Sequence, residues 1–306
     1  MGDRLKGRVA IVTGSGGGIG RGEALALASE GAFVIVNDMG AAVDGSGSEA
    51  TPAEEVVQEV KKMGSQAVAN YDNVVQTETG EKLVKLALDT WGRLDIVINN
   101  AGILRDRMLF NMAVEEWDSV IAVHLRGHFN ITKPACGYFR QERKGGVIIN
   151  TSSTSGLGNV GQANYAAAKE GIVGFTRTLA REMGRYGVRC NAIRPMAATR
   201  MTLSPEMRAR AERAGEAGMK MLEQMEKSQP PEQIGPFVAW LCSDEAANVN
   251  GRNFLVRQGY IGLYSEPEIV AAVESEQPWT VDSISASISK VTKGLVNEWV
   301  PEPPKE

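Results

Sequence analysis

The sequence predicts an α/β chain: a single Rossmann-type doubly wound parallel sheet with helices on both faces. Three observations carry that prediction. Short apolar runs rich in β-branched residues recur at 8–13, 33–37, 94–99 and 147–150, and runs of that length read as strands buried on both faces, as parallel strands are. Alternating strand and helix patterns continue to residue 262 without a linker, so one domain is expected although length alone would allow two. A glycine-rich turn joins the first run to its helix, at the edge where open α/β sheets bind ligands.

The first strand ends at Thr13, and Gly14, Ser15, Gly16, Gly17, Gly18, Ile19 and Gly20 lead into a helical pattern through Glu23, Leu25, Leu27 and Ala28. Glycine, lacking a Cβ, permits the tight turn and lets the backbone approach a pyrophosphate resting on the helix N-terminus. A merely flexible loop is the plainer alternative; the strand before it and the helix after it favour dinucleotide binding. The second strand delivers Asp38 about twenty residues past the loop. A carboxylate there accepts hydrogen bonds from the adenosine ribose hydroxyls and repels a 2′-phosphate, which favours NAD over NADP; a turn aspartate is the alternative. The third strand stops at Asn99, Asn100, Ala101 and Gly102, whose amides can brace neighbouring strands and border the cofactor crevice. The fourth ends at Asn150, Thr151, Ser152 and Ser153, bringing a hydroxyl to the same edge of the sheet.

Tyr165 and Lys169 stand four residues apart in a stretch of helix-forming alanines. Side chains at that spacing share a helix face, so the ammonium can stand beside the phenol. A nearby cation favours the phenolate and lowers a pKa ordinarily near 10, which would make the tyrosine a proton donor or acceptor near neutral pH. The pair alone is also what a surface lysine beside a half-buried tyrosine looks like.

These motifs, in this order, resemble the short-chain dehydrogenase/reductase family over nearly the whole chain. The resemblance implies that Tyr165 is the general acid/base and that Ser153, followed three residues on by Gly156, orients the substrate carbonyl or alcohol. Lys169 would lower the tyrosine pKa and hold the nicotinamide ribose. The implied cofactor is NAD, contacted by Gly14, Ser15, Gly18, Ile19, Gly20, Asp38, Asn73, Val74, Asn100, Ala101, Gly102, Ala197 and Thr199 besides Tyr165 and Lys169. His124 stands where most of the family has an asparagine that serves a proton relay. An imidazole can carry protons there, or it can be a packed helix residue. His128 is four residues further on, but without a third ligand no metal is expected.

Within the family, residues 124–127 look like the (3R)-hydroxyacyl-CoA dehydrogenase domain of peroxisomal multifunctional enzyme type 2. Residues 37–40 with the glycine-rich insert up to Ala50, and segments 69–72, 101–107, 161–165 and 200–202, match it as well. That resemblance implies interconversion of a 3-hydroxyacyl-CoA and a 3-oxoacyl-CoA. A hydroxysteroid dehydrogenase, a carrier-protein ketoreductase and a non-catalytic NAD-binding protein stay open. No hydratase or sterol-carrier segment follows, so a freestanding dehydrogenase is expected.

Composition fits such an enzyme. A formal net charge of −4 disfavours nucleic acid, which needs a clustered basic face. No apolar stretch approaches a membrane span, no charged-then-apolar leader opens the chain, and residues 303–306 are not a peroxisomal signal of the Ser-Lys-Leu type, so cytoplasm is expected. Cys136, Cys190 and Cys242, odd in number and far apart, suit buried thiols rather than disulfides or zinc. Between 201 and 229 the chain turns charged and methionine-rich. Met207, Met219, Met221 and Met225 are expected in a substrate lid over an acyl or steroid-like chain, an ordinary amphipathic helix being equally compatible. A helical extension at 265–306, with Ile284, Ile288, Val291 and Leu295 at helical spacing before Pro301, is expected to pack on the catalytic unit or on a partner subunit of a homodimer or homotetramer.

Overall fold

Each apolar run needs partners for its backbone on two edges, and the sheet supplies them. Its strands are β1 (Val9–Thr13), β2 (Phe33–Asn37), β3 (Ala67–Asn70), β4 (Ile96–Asn99), β5 (Gly146–Thr151), β6 (Val188–Pro195), β7 (Asn253–Arg257) and β8 (Tyr260–Leu263). They lie in the order β3-β2-β1-β4-β5-β6-β7-β8. The order reverses direction between β1 and β4, which opens a crevice at the carboxyl ends of those two strands. The computed structural model describes residues 2–47, 51–203, 205–297 and 299. Ala50, Pro301 and residues 303–306, each part of an expectation above, lie outside the described residues.

The helices are α1 (Gly18–Ser29), α2 (Thr51–Lys62), α3 (Thr79–Trp91), α4 (Val114–Ile121), α5 (Gly127–Glu142), α6 (Ala163–Met183), α7 (Pro205–Arg213), α8 (Gly215–Ser228), α9 (Gly235–Cys242), α10 (Val281–Ser287) and α11 (Ser289–Thr292). Strand alternation decides which helices meet which face. Ala10 and Val12 of β1 pack with Leu27 of α1, Val56 of α2 and Val238 of α9. Val9 and Ile11 point the other way, into a second core with Leu83 of α3, Ile131 and Phe139 of α5, and Leu179 of α6. Both faces are therefore covered, as uninterrupted apolar strands require.

Two details add to the expected architecture. The sheet is parallel only from β1 to β7; β8 returns antiparallel to β7. Only Gln258 and Gly259, the latter at φ +68°, separate the paired Arg257 and Tyr260, and so short a connection makes a hairpin, whereas a parallel strand needs a crossover. The helical spacing from Ile284 to Leu295 also does not make one continuous helix. α11 stops at Thr292, and Gly294 adopts φ +84°, a left-handed conformation that ends helices.

The chain divides into two compact units, Met1–Tyr264 and Ser265–Glu306. The first holds the sheet and everything described below. The second carries α10, entered through Thr280, whose side chain accepts from Ser283 N–H while Ser283 returns the bond to the Thr280 backbone. No helix among the described residues is long and apolar enough to cross a membrane.

Candidate active site

The glycine turn is locked to the end of β4 by side-chain bonds. Thr13 Oγ1 accepts from the N–H groups of Asn100 at 3.0 Å and Ala101 at 3.2 Å. Asn100 Nδ2 donates to the carbonyls of Thr13 at 3.0 Å and Gly14 at 2.9 Å. This close approach requires glycine: Gly14 sits at φ +63°, and a Cβ there would lie 2.7 Å from Ala101 Cα, while a Cβ on Gly20 would collide with the Gly14 carbonyl. Asp38 anchors the other side of the turn, accepting from Gly16 N–H at 2.8 Å and Gly40 N–H at 2.7 Å. Asn130 Nδ2 holds the next wall by donating to the carbonyls of Val74 and Val75, both at 3.0 Å.

The result is a cleft of about 480 Å³ lined by Gly14, Gly18, Ile19, Asp38, Asn73, Val74, Asn100, Ala101, Gly102 and Thr199, among others. A glycine cradle, the free N–H groups at the start of α1 and a carboxylate after β2 fit a dinucleotide: pyrophosphate on the helix terminus, ribose hydroxyls on Asp38. Ser15 is not part of that lining. Its hydroxyl turns inward to the Val12 carbonyl at 2.7 Å and its N–H is bonded to Asn37 O at 3.1 Å, so it braces β1 against β2. Gly20 serves by allowing close packing rather than by facing the cleft.

A second cleft, of about 1030 Å³, meets the first at Ile19, Asn100, Gly102, Thr199 and Met201. Ser153, Tyr165, Lys169, His124 and Ala197 line it. At its core β5 and α6 are stitched together: Lys169 Nζ donates to Thr151 O at 2.6 Å, and Ser152 Oγ donates to Lys169 O at 2.7 Å. Ser152 is thereby engaged with the backbone. The Ser153 hydroxyl accepts from Ser155 N–H at 3.1 Å, and Ser153 lines the same cleft as Tyr165. The structure thus brings Ser153, Tyr165 and Lys169 together.

Charge in this cluster differs from the sequence expectation in one respect. Lys169 stands over the Tyr165 ring, 5.4 Å from its centroid, with its ammonium turned to Thr151. Burial dominates the phenol and pushes it up to about 12, against the Ser153 side chain, which favours the phenolate; Asp106 raises it further. Burial also brings Lys169 down to about 7, against the pull of Glu23. Burial thus opposes the charged form of both groups, and the Lys169 ammonium is bonded to Thr151 O in this structure.

His124 belongs to a π-helical segment, Ala122–Arg126, between α4 and α5, and such local widenings gather at functional sites. Its ring packs edge-on against Tyr165 at 5.0 Å between centroids. Nε2 lies 2.8 Å from Ile103 O and 3.1 Å from Ile103 N, and Nδ1 has no partner. With Nε2 protonated it donates to Ile103 O, and with Nδ1 protonated Nε2 accepts from Ile103 N–H, so either neutral tautomer ties the ring to Ile103. Full burial pushes this imidazole well below its usual range, and burial brings His128 down to about 3. His124 is therefore neutral near neutral pH and fastens the chain after Gly102 beneath Tyr165. No group of three metal-ligating side chains occurs among the described residues.

Sequence reasoning missed two buried charges. Glu23 is wholly buried on α1, neither carboxylate oxygen has a hydrogen-bond partner, and burial pushes it up to about 8 against the pull of Lys169. Arg194 is buried on β6 between apolar neighbours. A charge inside an otherwise apolar helix face or strand was the available signal in both cases. Of the four expected lid methionines, Met207 and Met225 line the second cleft, joined by Met196 and Met201, whereas Met219 and Met221 are exposed. Leu222 of α8 packs against Ala198 and Leu203, which sets the orientation of that helix.

A family model described as short chain dehydrogenase matches residues 8–209. The peroxisomal multifunctional enzyme type 2 of Mus musculus is 42% identical over 290 residues, covering 94% of this chain and only 37% of that protein's length. The hydroxyacyl-CoA dehydrogenase ChsB1 of Mycobacterium tuberculosis is 41% identical over 310 residues, covering 99% of this chain and 92% of the relative. Among solved structures, a short chain dehydrogenase from Mycobacterium avium superposes with a TM-score of 0.79 at 41% identity, covering 94% of this chain and 95% of that one.

Proposed function

The chain belongs to the short-chain dehydrogenase/reductase family, and from that premise we propose that it is an NAD-dependent oxidoreductase interconverting a 3-hydroxyacyl-CoA, of (3R) configuration, and the 3-oxoacyl-CoA. The observation that carries the reading is Ser153, Tyr165 and Lys169 gathered on the wall of a methionine-lined cleft that adjoins a glycine-walled one. Names of relatives support the substrate class: hydroxyacyl-CoA dehydrogenase for a protein matched over nearly its full length, and peroxisomal multifunctional enzyme type 2 for one matched over part. NAD over NADP is supported by Asp38, whose carboxylate stands where a 2′-phosphate would meet repulsion.

In this reading the substrate oxygen lies between Ser153 and Tyr165. Ser153 donates a hydrogen bond to it, fixing the carbonyl or alcohol carbon toward the first cleft. In reduction the neutral Tyr165 phenol delivers its proton to that oxygen; in oxidation the phenolate takes the hydroxyl proton, a step that strengthens as pH rises because burial keeps the phenol protonated. Lys169, held by Thr151, occupies the border between the clefts, where its Nζ can also donate to a ribose hydroxyl. The nicotinamide, when bound, supplies the hydride acceptor or donor. His124 and Ile103 form the floor that keeps Tyr165 in place.

The test is a substrate panel followed by NADH absorbance: both stereoisomers of 3-hydroxyacyl-CoAs of several chain lengths, free hydroxysteroids and carrier-bound acyl groups. Turnover of a (3R)-acyl-CoA above the other classes is expected. No turnover of any acyl-CoA would sink the substrate assignment, and NADPH outperforming NADH would sink the cofactor assignment.

A further inference from the structure

Arg194 is one of the largest wholly enclosed side chains in the protein, at 2% exposure. An isolated charge so placed costs several kcal/mol unless it is paired and hydrogen-bonded. Its partners come from the two segments that carry the catalytic groups. Nη1 donates to Ser153 O at 2.7 Å, and Nη2 donates to Glu170 Oε2 at 2.6 Å. Glu170 follows Lys169 directly on α6. The guanidinium also faces the Tyr264 ring at 5.0 Å, leaving Nε without a partner. Gly156 makes the space: a Cβ there would lie 2.9 Å from Glu170 Oε2 and 3.0 Å from Arg194 Nη1. Gly156 N–H adds a second donor to Ser153 O at 3.1 Å, so that carbonyl is held from two sides.

We propose that Arg194 is a positioning residue: its planar fork, reaching Ser153 O and Glu170 together, holds the hydroxyl of Ser153 in register with Tyr165 and Lys169. The inference rests on the roles given above to Ser153 and Tyr165. The Lys169 and Ser152 bonds already stitch the end of β5 to α6, but they leave Ser153 itself untied to α6, and the Arg194 cross-link fastens it there. A bidentate guanidinium supplies that geometry, where a lysine, carrying a single flexible ammonium, does not. Because the Ser153 side chain beside Tyr165 favours the phenolate, moving it away shifts the alcohol-oxidation profile toward higher pH. The other groups facing Tyr165, namely Lys169, His124 and Asp106, are left in place.

The experiment compares the full-length wild type with R194K and the double variant R194M/E170M, which removes both charges without leaving an orphan, each assayed with NAD and the best alcohol of the panel. About a tenfold loss of kcat is expected in both, with the KM for NAD within about twofold and the pH profile displaced to the alkaline side, while thermal melting shows the variants folded. A folded Arg194 variant with wild-type kcat and an unmoved pH profile overturns the proposal. Should neither Arg194 variant be recovered folded, Glu170→Gln, at a half-exposed site, decides in the same terms. A wild type that oxidises no secondary alcohol overturns the underlying reading instead.

Discussion

The two clefts that meet at Ile19 and Gly102 are built by opposite means. The first is walled by backbone: the glycine turn, the end of β4 and the segment after β3 are fastened by Thr13, Asn100 and Asn130. The second is walled by side chains, with methionines from the β6 end and from the helical pair α7 and α8 around Ser153, Tyr165 and Lys169. A backbone wall dictates its residues, since a Cβ at Gly14 has nowhere to go. A methionine wall dictates little beyond volume and softness. The first therefore admits little variation in the residues that build it, and the second admits more.

Substitutions can break or sharpen this contrast. Tyr165→Phe, which keeps both walls but removes the proton-transfer group, is expected to lower kcat roughly a thousandfold while leaving NADH binding by fluorescence intact. Asp38→Asn removes a charge from the backbone-walled cleft, keeps only one of the acceptors for Gly16 and Gly40 N–H, and should shift the NADP-to-NAD ratio of kcat/KM about tenfold toward NADP, read from initial rates with each cofactor. Met225→Ala trims the side-chain wall. About a fourfold rise in KM for a long-chain acyl-CoA, with short-chain substrates and NAD unaffected, is expected from steady-state kinetics. A comparable change in the KM for NAD would show that the clefts are not independent.

The smallest effect concerns Glu23 beneath the seam. Its folded pKa, about 8, lies above its ordinary 4.5, so between those values the unfolded chain releases a proton that the folded chain keeps. The stability contribution is complete below the lower value and is lost as pH rises through the higher one. Glu23→Gln does not titrate. Its melting temperature should therefore gain on the wild type with rising pH, by about 5 °C more at pH 8 than at pH 5 in a thermal melt.

Legibility in the sequence followed the same division. The glycine turn, Asp38, the paired asparagines and the Tyr165–Lys169 spacing were readable because each depends on local backbone geometry or on helical periodicity. Ser153 was separable from Ser152 only by the position of Gly156; the structure separates them by what each hydroxyl touches. Ser15 looked like a cofactor contact because it sits in the turn, yet its hydroxyl points into the sheet. Met219 and Met221 shared the composition of the lid without sharing its inward face.

The order of elements, the crevice at the reversal between β1 and β4, and the residue types around it were determined by the chain alone, because strand alternation, helical spacing and glycine's missing Cβ act over a few residues. Only the tertiary structure decided that burial dominates the Tyr165 phenol, and that Arg194 joins Ser153 to α6. It also decided that Glu23 lies buried without a hydrogen-bond partner, within electrostatic reach of Lys169. Desolvation and long-range pairing depend on what surrounds a side chain in three dimensions, which no local pattern encodes.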